Sequence, residues 1–298
     1  MTGKRNRLKR WRVAVGTRGR RRLWPLAVAF SLVLAALISA ADLGEFFSRG
    51  IEIRPAESLT LPGEGSLWGR DEAGRDLGAR VMIAAGASLA IAAVVFAITA
   101  GAGLLLGILA SRLPRPLRGI LAWLYRGWFC YPVFTLLLVF SMVPFPGEGL
   151  SRGQALGALG ALVVSFRVWR VIERISLHDS TKAGIVCGMS PVRAWLRCRA
   201  GYAVAAALAS AARFLPMAIL WNAALGFVIA TRGGGERWPG GLGAVIAEAR
   251  PYLLDAPWLM VPPGVALTLM IALAHGVAAL SRNSLCRRLE LLDDCEYG

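Results

Sequence analysis

Long uncharged blocks of apolar residues alternate with short charged segments along this 298-residue chain. Hydrophobic residues make up 56% of the chain, and its mean hydropathy is +0.56. In a soluble domain the apolar positions are dispersed with the period of a helix or a strand, whereas here they are contiguous. A bilayer core takes about 20 apolar residues per helix, and several blocks reach that length. The pattern predicts an all-α, polytopic membrane protein.

Six transmembrane helices are predicted, at residues 23–41, 81–110, 117–143, 154–172, 202–230 and 258–280. The first also has features of a secretory signal, because a basic region precedes it and small residues end it. Its apolar stretch is longer than a signal core and further spans follow, which favours a retained helix. The second is rich in Gly and Ala, which let helix backbones approach closely in lipid. It is therefore predicted to be a packed, central helix.

The distribution of basic residues predicts the orientation. The segments predicted to be cytoplasmic (1–22, 111–118, 167–199 and 281–298) hold 23 Lys and Arg, whereas the segments predicted to be outside (42–80, 143–153 and 231–257) hold 9. This asymmetry places both termini in the cytoplasm. A net charge of +16 also suits nucleic-acid binding. Because the charges flank the membrane, we exclude nucleic acid and expect a topogenic anchor attracted to anionic lipid.

The domain organisation follows from the spans. A basic cytoplasmic N-terminus (1–22) and the first helix (23–41) precede an extracytoplasmic loop (42–80), a five-helix core (81–280) with a cytoplasmic loop at about 173–200, and a cytoplasmic tail (281–298). The sequence contains no sizeable soluble domain, no GxxxxGK[ST] phosphate loop and no HExxH motif. Its five cysteines and two histidines form no metal-ligand spacing. We predict no catalytic residue and no metal site, so the energy for active transport must come from a partner or an ion gradient.

The outer loop ends in a charged segment, GRDEAGRDLGAR, at residues 69–80. Asp76 is placed to cap the helix that begins there, and neighbouring Arg and Asp side chains can satisfy one another at the membrane surface. On the residues alone, a polar helix entrance remains an alternative to a functional segment. The segment resembles the GTDxxGRD motif of the dipeptide/oligopeptide/nickel class of ABC permeases. The matching positions are Asp71, Glu72, Gly74, Arg75 and Asp76, while Arg70 stands where Thr is usual.

The basic inner loop has the spacing of a second motif of ABC permeases, EAAxxxG, which forms a helix that seats in a groove of the ATPase subunit. Lys182 replaces the Glu of that motif. The resemblance implies an ATPase-coupling loop with the residues Lys182, Ala183, Gly184, Gly188, Met189, Ser190 and Arg193. A basic docking surface would prefer an acidic groove on the partner. A loop held to anionic head groups remains the alternative.

The C-terminal third is similar to the same family in its order of segments. MAILWNAALGF at 217–227 is followed by WPGGLG at 238–243 and by Pro-Trp at 257–258. The segment MAILWNAALGF is most similar to the Sap branch of the family, which is associated with antimicrobial-peptide resistance. The matching segments together cover about residues 67–280.

Three residues of the fifth span are candidates for the translocation path. Arg213 lies about 11 residues into the span, roughly 16 Å along the helix, and should face a cavity or a partner rather than lipid. A subunit-interface salt bridge or snorkelling remains open for Arg213, and snorkelling is favoured for Arg126. Pro216 can bend the helix and free a carbonyl. Asn222 stands about where an acid is common in the family.

The resemblance implies the type I ABC importer permease fold and a non-catalytic subunit of the bacterial inner membrane. Its partners would be a homologous second permease, two ABC ATPase subunits that carry ATP and Mg, and an extracytoplasmic solute-binding protein. The solute class would be peptides first, moved by ATP-driven alternating access. A secondary transporter or channel driven by an ion gradient is the main alternative and predicts acidic residues or His within the spans. A membrane enzyme would need a catalytic constellation that the sequence lacks.

Overall fold

The computed structural model describes residues 48–63, 66–114, 116–120, 148–177, 199–231 and 240–293, with single residues 123, 190, 193 and 195. The α-helices that are described along their length are α1 (Leu77–Arg112), α2 (Glu148–Leu177), α3 (Ala200–Thr231), α4 (Leu242–Ala249) and α5 (Val261–Asp293). Short 3₁₀ turns lie at Pro55–Glu57, Arg250–Tyr252 and Pro257–Leu259. Over these residues the regular structure is helical, apart from one bridge between Arg70 and Asp76. The predicted all-α class is confirmed, and the contacts given below lie within the compact unit Arg49–Gly298.

Four of the helices, α1, α2, α3 and α5, are long and apolar enough to cross a membrane. They correspond to the predicted second, fourth, fifth and sixth spans, and each extends past at least one predicted end. The largest difference is at α5, which continues to Asp293 through residues that the hydropathy assigned to a tail. The predicted first span and most of the third lie outside the described residues.

Glycine brings α1 and α2 into close, parallel contact. A Cβ added to Gly103 would meet Val164, and one added to Gly107 would lie 2.6 Å from the Cβ of Val168. The hydroxyl of Thr99 donates a hydrogen bond of 3.3 Å to the carbonyl of Gly157. The contacts advance along both helices in the same direction, so the helices are parallel. Because α1 contacts α2, α3, α4 and α5, it is the packed central helix that the sequence predicts.

Helix α3 runs antiparallel to α2 and packs against it through alanines. Ala203, Ala207 and Ala211 form a buried cluster with Val164 and Val168 of α2. Small side chains permit this approach without large interlocking residues, as in other membrane bundles. The small alanine side chains of α3 therefore allow the helices to pack closely, as the glycines of α1 do.

The short helix α4 lies inside the bundle, in contact with α1, α3 and α5. At its start the backbone N–H of Leu242 donates to the hydroxyl of Ser88, 3.1 Å away and 11 residues into α1. Gly243 lies directly on the carbonyl of Ala223 in α3, where no side chain would fit. The sequence assigned these residues to a loop between spans, whereas the structure forms a short helix there that packs against α1 and α3. Its eight residues, which include Glu248, are too few for a membrane span, but they form a half-helix packed between α1 and α3.

We expect Gly107→Ala to destabilise the bundle. Its new methyl group would overlap Val168 and the carbonyl of Ser165, and overpacking of this kind costs about 2 kcal/mol. Gly101→Ala is the matched control, because nothing lies within 4 Å of a Cβ at that position and Ala favours a helix by about 1 kcal/mol. The free energy of unfolding of the two purified variants in detergent measures the difference. Equal stability of the two variants would contradict the close contact.

Candidate functional site

Asp71 organises the loop that precedes α1. Its Oδ1 accepts hydrogen bonds from the backbone N–H groups of Ala73 and Arg75, each at 2.9 Å. Its Oδ2 accepts from Arg75 Nε at 2.8 Å and from Arg80 Nη1 at 2.6 Å. The residue is only 4% exposed. The four donors give this buried carboxylate the hydrogen bonds that burial of a polar group requires.

Two glycines of the same segment are required by the backbone. Gly69 and Gly74 have φ values of +78° and +73°, a region that residues with a Cβ rarely adopt. Gly74 also lies directly against the carbonyl of Arg54, and Gly69 lies near that of Thr60. The glycine spacing in GRDEAGRD therefore has a conformational cause in this loop.

Arg70, which stands where the resembling motif has Thr, stabilises the loop in its own way. Its Nη1 donates to the carbonyl of Gly74 at 3.0 Å, and its Nη2 pairs with Glu57 at 2.8 Å. Asp76 accepts a hydrogen bond of 2.9 Å from the N–H of Ala79 and so caps α1. The predicted cap is confirmed. The prediction that neighbouring Arg and Asp side chains satisfy one another also holds for Asp71 and Arg75.

Arg80 joins this loop to α4. Only 3% exposed in the first turn of α1, it donates from Nη1 to Asp71 and from Nη2 to Glu248 of α4. We call Asp71, Arg75, Arg80 and Glu248 the Arg80 cluster. Removing one partner of a buried charge pair leaves the other uncompensated, so the cluster holds the loop, α1 and α4 together.

A small cavity opens beside the Arg80 cluster and includes Glu72 and Tyr252. The Glu72 carboxylate accepts a hydrogen bond from the Tyr252 hydroxyl and repels the phenolate, so it raises the pKa of Tyr252 above its ordinary value. The cavity is also lined by apolar residues of α1, α4 and the 3₁₀ turn Pro257–Leu259: Leu77, Val245, Ala249 and Leu259. No group of three or more His, Cys, Asp or Glu side chains suited to a metal ion occurs among the described residues.

The three candidate path residues of α3 do not share one face. Arg213 is exposed, while Pro216 is buried inside the helix and Asn222 is 7% exposed. Nine residues at 100° each place Arg213 and Asn222 half a turn apart. Asn222 faces the start of α4, with its Nδ2 3.9 Å from the Cβ position of Gly241. Over the described chain its Oδ1 has no hydrogen-bond partner.

Most of the predicted coupling loop lies outside the described residues, including Lys182, Ala183, Gly184, Gly188 and Met189. Ser190 and Arg193 are both exposed, and the Ser190 hydroxyl accepts a hydrogen bond of 3.5 Å from the Arg193 N–H. A serine that accepts from the residue three positions later has the geometry of a helix N-cap.

Sequence reasoning missed the roles of Arg80, Glu248 and Ser88. Two of these residues could have been found from the sequence, because Arg80 is the only charged residue of α1 before Arg112 and Glu248 is the only charged residue of α4. A single charge in an otherwise apolar helix requires a partner. Nothing in the sequence pairs Arg80 with a residue 168 positions away.

Comparison with known proteins relates the chain to peptide permeases. It is 28% identical over 251 residues to the di/tripeptide transport system permease protein DppC of Pseudomonas aeruginosa, which covers 84% of this chain and 80% of that protein. It is 24% identical over 251 residues to the dipeptide transport system permease protein DppC of Alkalihalophilus pseudofirmus, covering 83% and 79%. No protein-family model matches the chain. The curated homologues of this chain are thus permease proteins of peptide transport systems, as the motifs predict.

We expect Asp71→Asn to destabilise the protein by about 3 kcal/mol, because it leaves Arg80 buried with one carboxylate fewer. Glu52→Gln is the matched control, since it removes the same charge from an exposed side chain of the same loop. Denaturant titration of the purified chain in detergent measures both variants. If the two variants unfold together, Asp71 does not organise the loop.

We expect Glu72→Gln to lower the pKa of Tyr252 toward its ordinary value. The hydrogen bond and the carboxylate charge, which favour the neutral phenol in the folded protein, are weakened or removed. Because the folded state raises the pKa of Tyr252, this contact adds to the free energy of unfolding while the phenol is neutral. The contribution is complete below the ordinary tyrosine pKa and is lost as the pH rises through the folded-state pKa. Phenolate absorbance during alkaline titration, with Tyr252→Phe subtracted, reports the shift. An unchanged titration would exclude the contact with Glu72.

Proposed function

We propose that this homologue of peptide transport system permease proteins is a membrane-spanning subunit of an ABC transporter and forms half of a translocation path for peptides. The observation that carries the proposal is the similarity over more than four-fifths of the chain, and the four membrane-length helices agree with it. A permease subunit has no catalytic site of its own. ATP and Mg would be held by two separate ATPase subunits.

The proposed architecture has six spans in the type I importer fold, with both termini in the cytoplasm of a bacterial inner membrane. The parallel contact of α1 and α2 supports it. Two parallel spans need an odd number of crossings between them, and the predicted span 117–143 supplies one. Lys and Arg are concentrated in the segments that this topology places inside. The Arg80 cluster and the loop 49–76 are then extracytoplasmic, where a solute-binding protein would dock.

The proposed mechanism is alternating access. The coupling loop connects α2 to α3, so a movement of the ATPase subunits would act on both helices at once. On the other side, the Arg80 cluster fixes α4 to α1. Half-helices that enter from one side and line a central site are common in transporters. Reorientation of the path between this subunit and a homologous second permease would expose the solute to each side in turn.

The charges of the described spans oppose the main alternative. In these helices Asp and Glu occur only near the ends, at Glu148 and Glu173 of α2 and Glu290 and Asp293 of α5. A transporter driven by protons or sodium needs carboxylates or His within its spans. His275 of α5 is an exposed histidine without such a relay. This pattern favours an energy source on a partner.

We expect the tagged, gently solubilised chain to co-purify with a second permease and an ABC ATPase. Arg193→Glu should reduce the recovered ATPase while the second permease stays bound, because a like charge facing an acidic groove costs several kcal/mol. Arg112→Glu is the matched control, since Arg112 is also an exposed arginine at the cytoplasmic end in this topology.

Mass spectrometry of the purified complex identifies the partners. Recovery of the chain alone would refute the proposed function. If both variants lost the ATPase equally, the inner loop would not be part of the docking surface.

A further inference from the structure

Three residues in the second half of α3, Arg213, Met217 and Leu220, form an exposed stripe, which we call the Arg213 stripe. Steps of four and three residues keep all three side chains on one side of a helix. The residues between them pack into the bundle, Ala218 in a cluster with α1 and α2 and Ile219 in a cluster with α1 and α5. The stripe therefore faces away from these helices.

Arg213 lies at membrane depth. It is 13 residues after Ala200 and 18 before Thr231, or about 20 Å and 27 Å from the two ends of α3. A hydrocarbon core of about 30 Å that is centred on the helix begins about 11 Å from Arg213 on the nearer side. Lipid chains do not solvate a guanidinium at this depth, so the side chain has to face water or an anion.

The chain has no carboxylate to offer at that depth. None of the six predicted spans contains Asp or Glu, and this includes the two spans that lie wholly or mostly outside the described residues. The carboxylates of α2 and α5 are near the helix ends, and Glu248 of α4 pairs with Arg80 in the first turn of α1. A counter-ion for Arg213 within the bilayer therefore has to come from another molecule.

The apolar residues of the stripe indicate what kind of molecule that is. Met217 and Leu220 continue from Arg213 for two turns, about 10 Å along α3. Lipid chains complement the apolar part of this surface but leave the guanidinium without an anion. One charge among large apolar side chains is complementary to a membrane span that is apolar except for one carboxylate.

We propose that the Arg213 stripe contacts a span of the second permease and that Arg213 pairs with an Asp or Glu of that span; this rests on the proposed permease function. The pair lies inside the bilayer, so removing one member leaves the other without a counter-ion. The pair therefore determines which faces of the two permeases meet and at what height in the membrane.

Photo-crosslinking in the complete transporter tests the surface. With p-benzoylphenylalanine in place of Met217, the chain should cross-link to the second permease, and mass spectrometry of the joined peptides should identify a span that contains Asp or Glu. Leu208 is the matched control position, because its side chain is also exposed on α3 but lies nine residues earlier, half a turn around the helix. A cross-linker at Leu208 should not capture that span.

Charge variants test the ion pair. Arg213→Gln should lower recovery of the second permease with the tagged chain by about tenfold, the loss expected for one charge-assisted hydrogen bond. Arg213→Lys should keep most of the recovery, since it keeps the charge. Changing the identified acid of the second permease to its amide should cause the same loss. Combining that change with Arg213→Gln should restore part of the recovery, because neither charge is then left alone.

A cross-link from position 217 to the peptide solute would assign the stripe to the translocation path and overturn the proposal. A cross-link to phospholipid alone or to this chain itself, a facing span without Asp or Glu, or full recovery of the second permease with Arg213→Gln would also overturn it. A double variant that assembles no better than the single ones would exclude the ion pair. In each case the wild-type chain still brings down a second permease, whereas failure of the proposed function leaves the wild-type chain alone.

Discussion

A buried cation in the first turn of the central helix has to be neutralised by the protein, and Arg80 is that cation. Asp71 and Glu248 reach it from the preceding loop and from a half-helix far along the chain. Because α1 contacts every other described α-helix, the position of its first turn affects the whole bundle. The loop is arranged around the same carboxylate, through the hydrogen bonds of Asp71 and the positive φ of Gly69 and Gly74.

Close backbone contact is the second constraint. Without a strong hydrophobic drive between helices in lipid, packing depends on how near the backbones can come. Gly103 and Gly107 allow α2 to lie along α1, and Gly243 allows α4 to lie on Ala223. A buried N–H without a partner would be costly, and Ser88 accepts the hydrogen bond of Leu242. Polar and small residues thus allow a short helix to pack inside the bundle.

The arginines of the bundle are placed in two ways. Arg80 pairs with Asp71 and Glu248, which fixes the preceding loop and α4 to α1. Because the protein itself supplies these counter-ions, Arg80 is part of the scaffold. Arg213 lies near the middle of α3, is exposed, and has no carboxylate within its own helix.

The sequence alone determined the membrane class, the all-α fold, four of the spans to within a few residues at most of their ends, the cap at Asp76 and the relation to peptide permeases. These depend on contiguous hydrophobicity, helix-end chemistry and local motifs, all of which are readable over short distances along the chain. Only the tertiary structure showed that residues 242–249 enter the bundle, that α5 continues to Asp293 and that Arg80 pairs with Glu248. It also placed Arg213 and Asn222 on opposite sides of α3. These features leave no local pattern in the sequence. A half-helix is too short to give a hydropathy signal. An ion pair between residues 168 positions apart depends on how the helices pack.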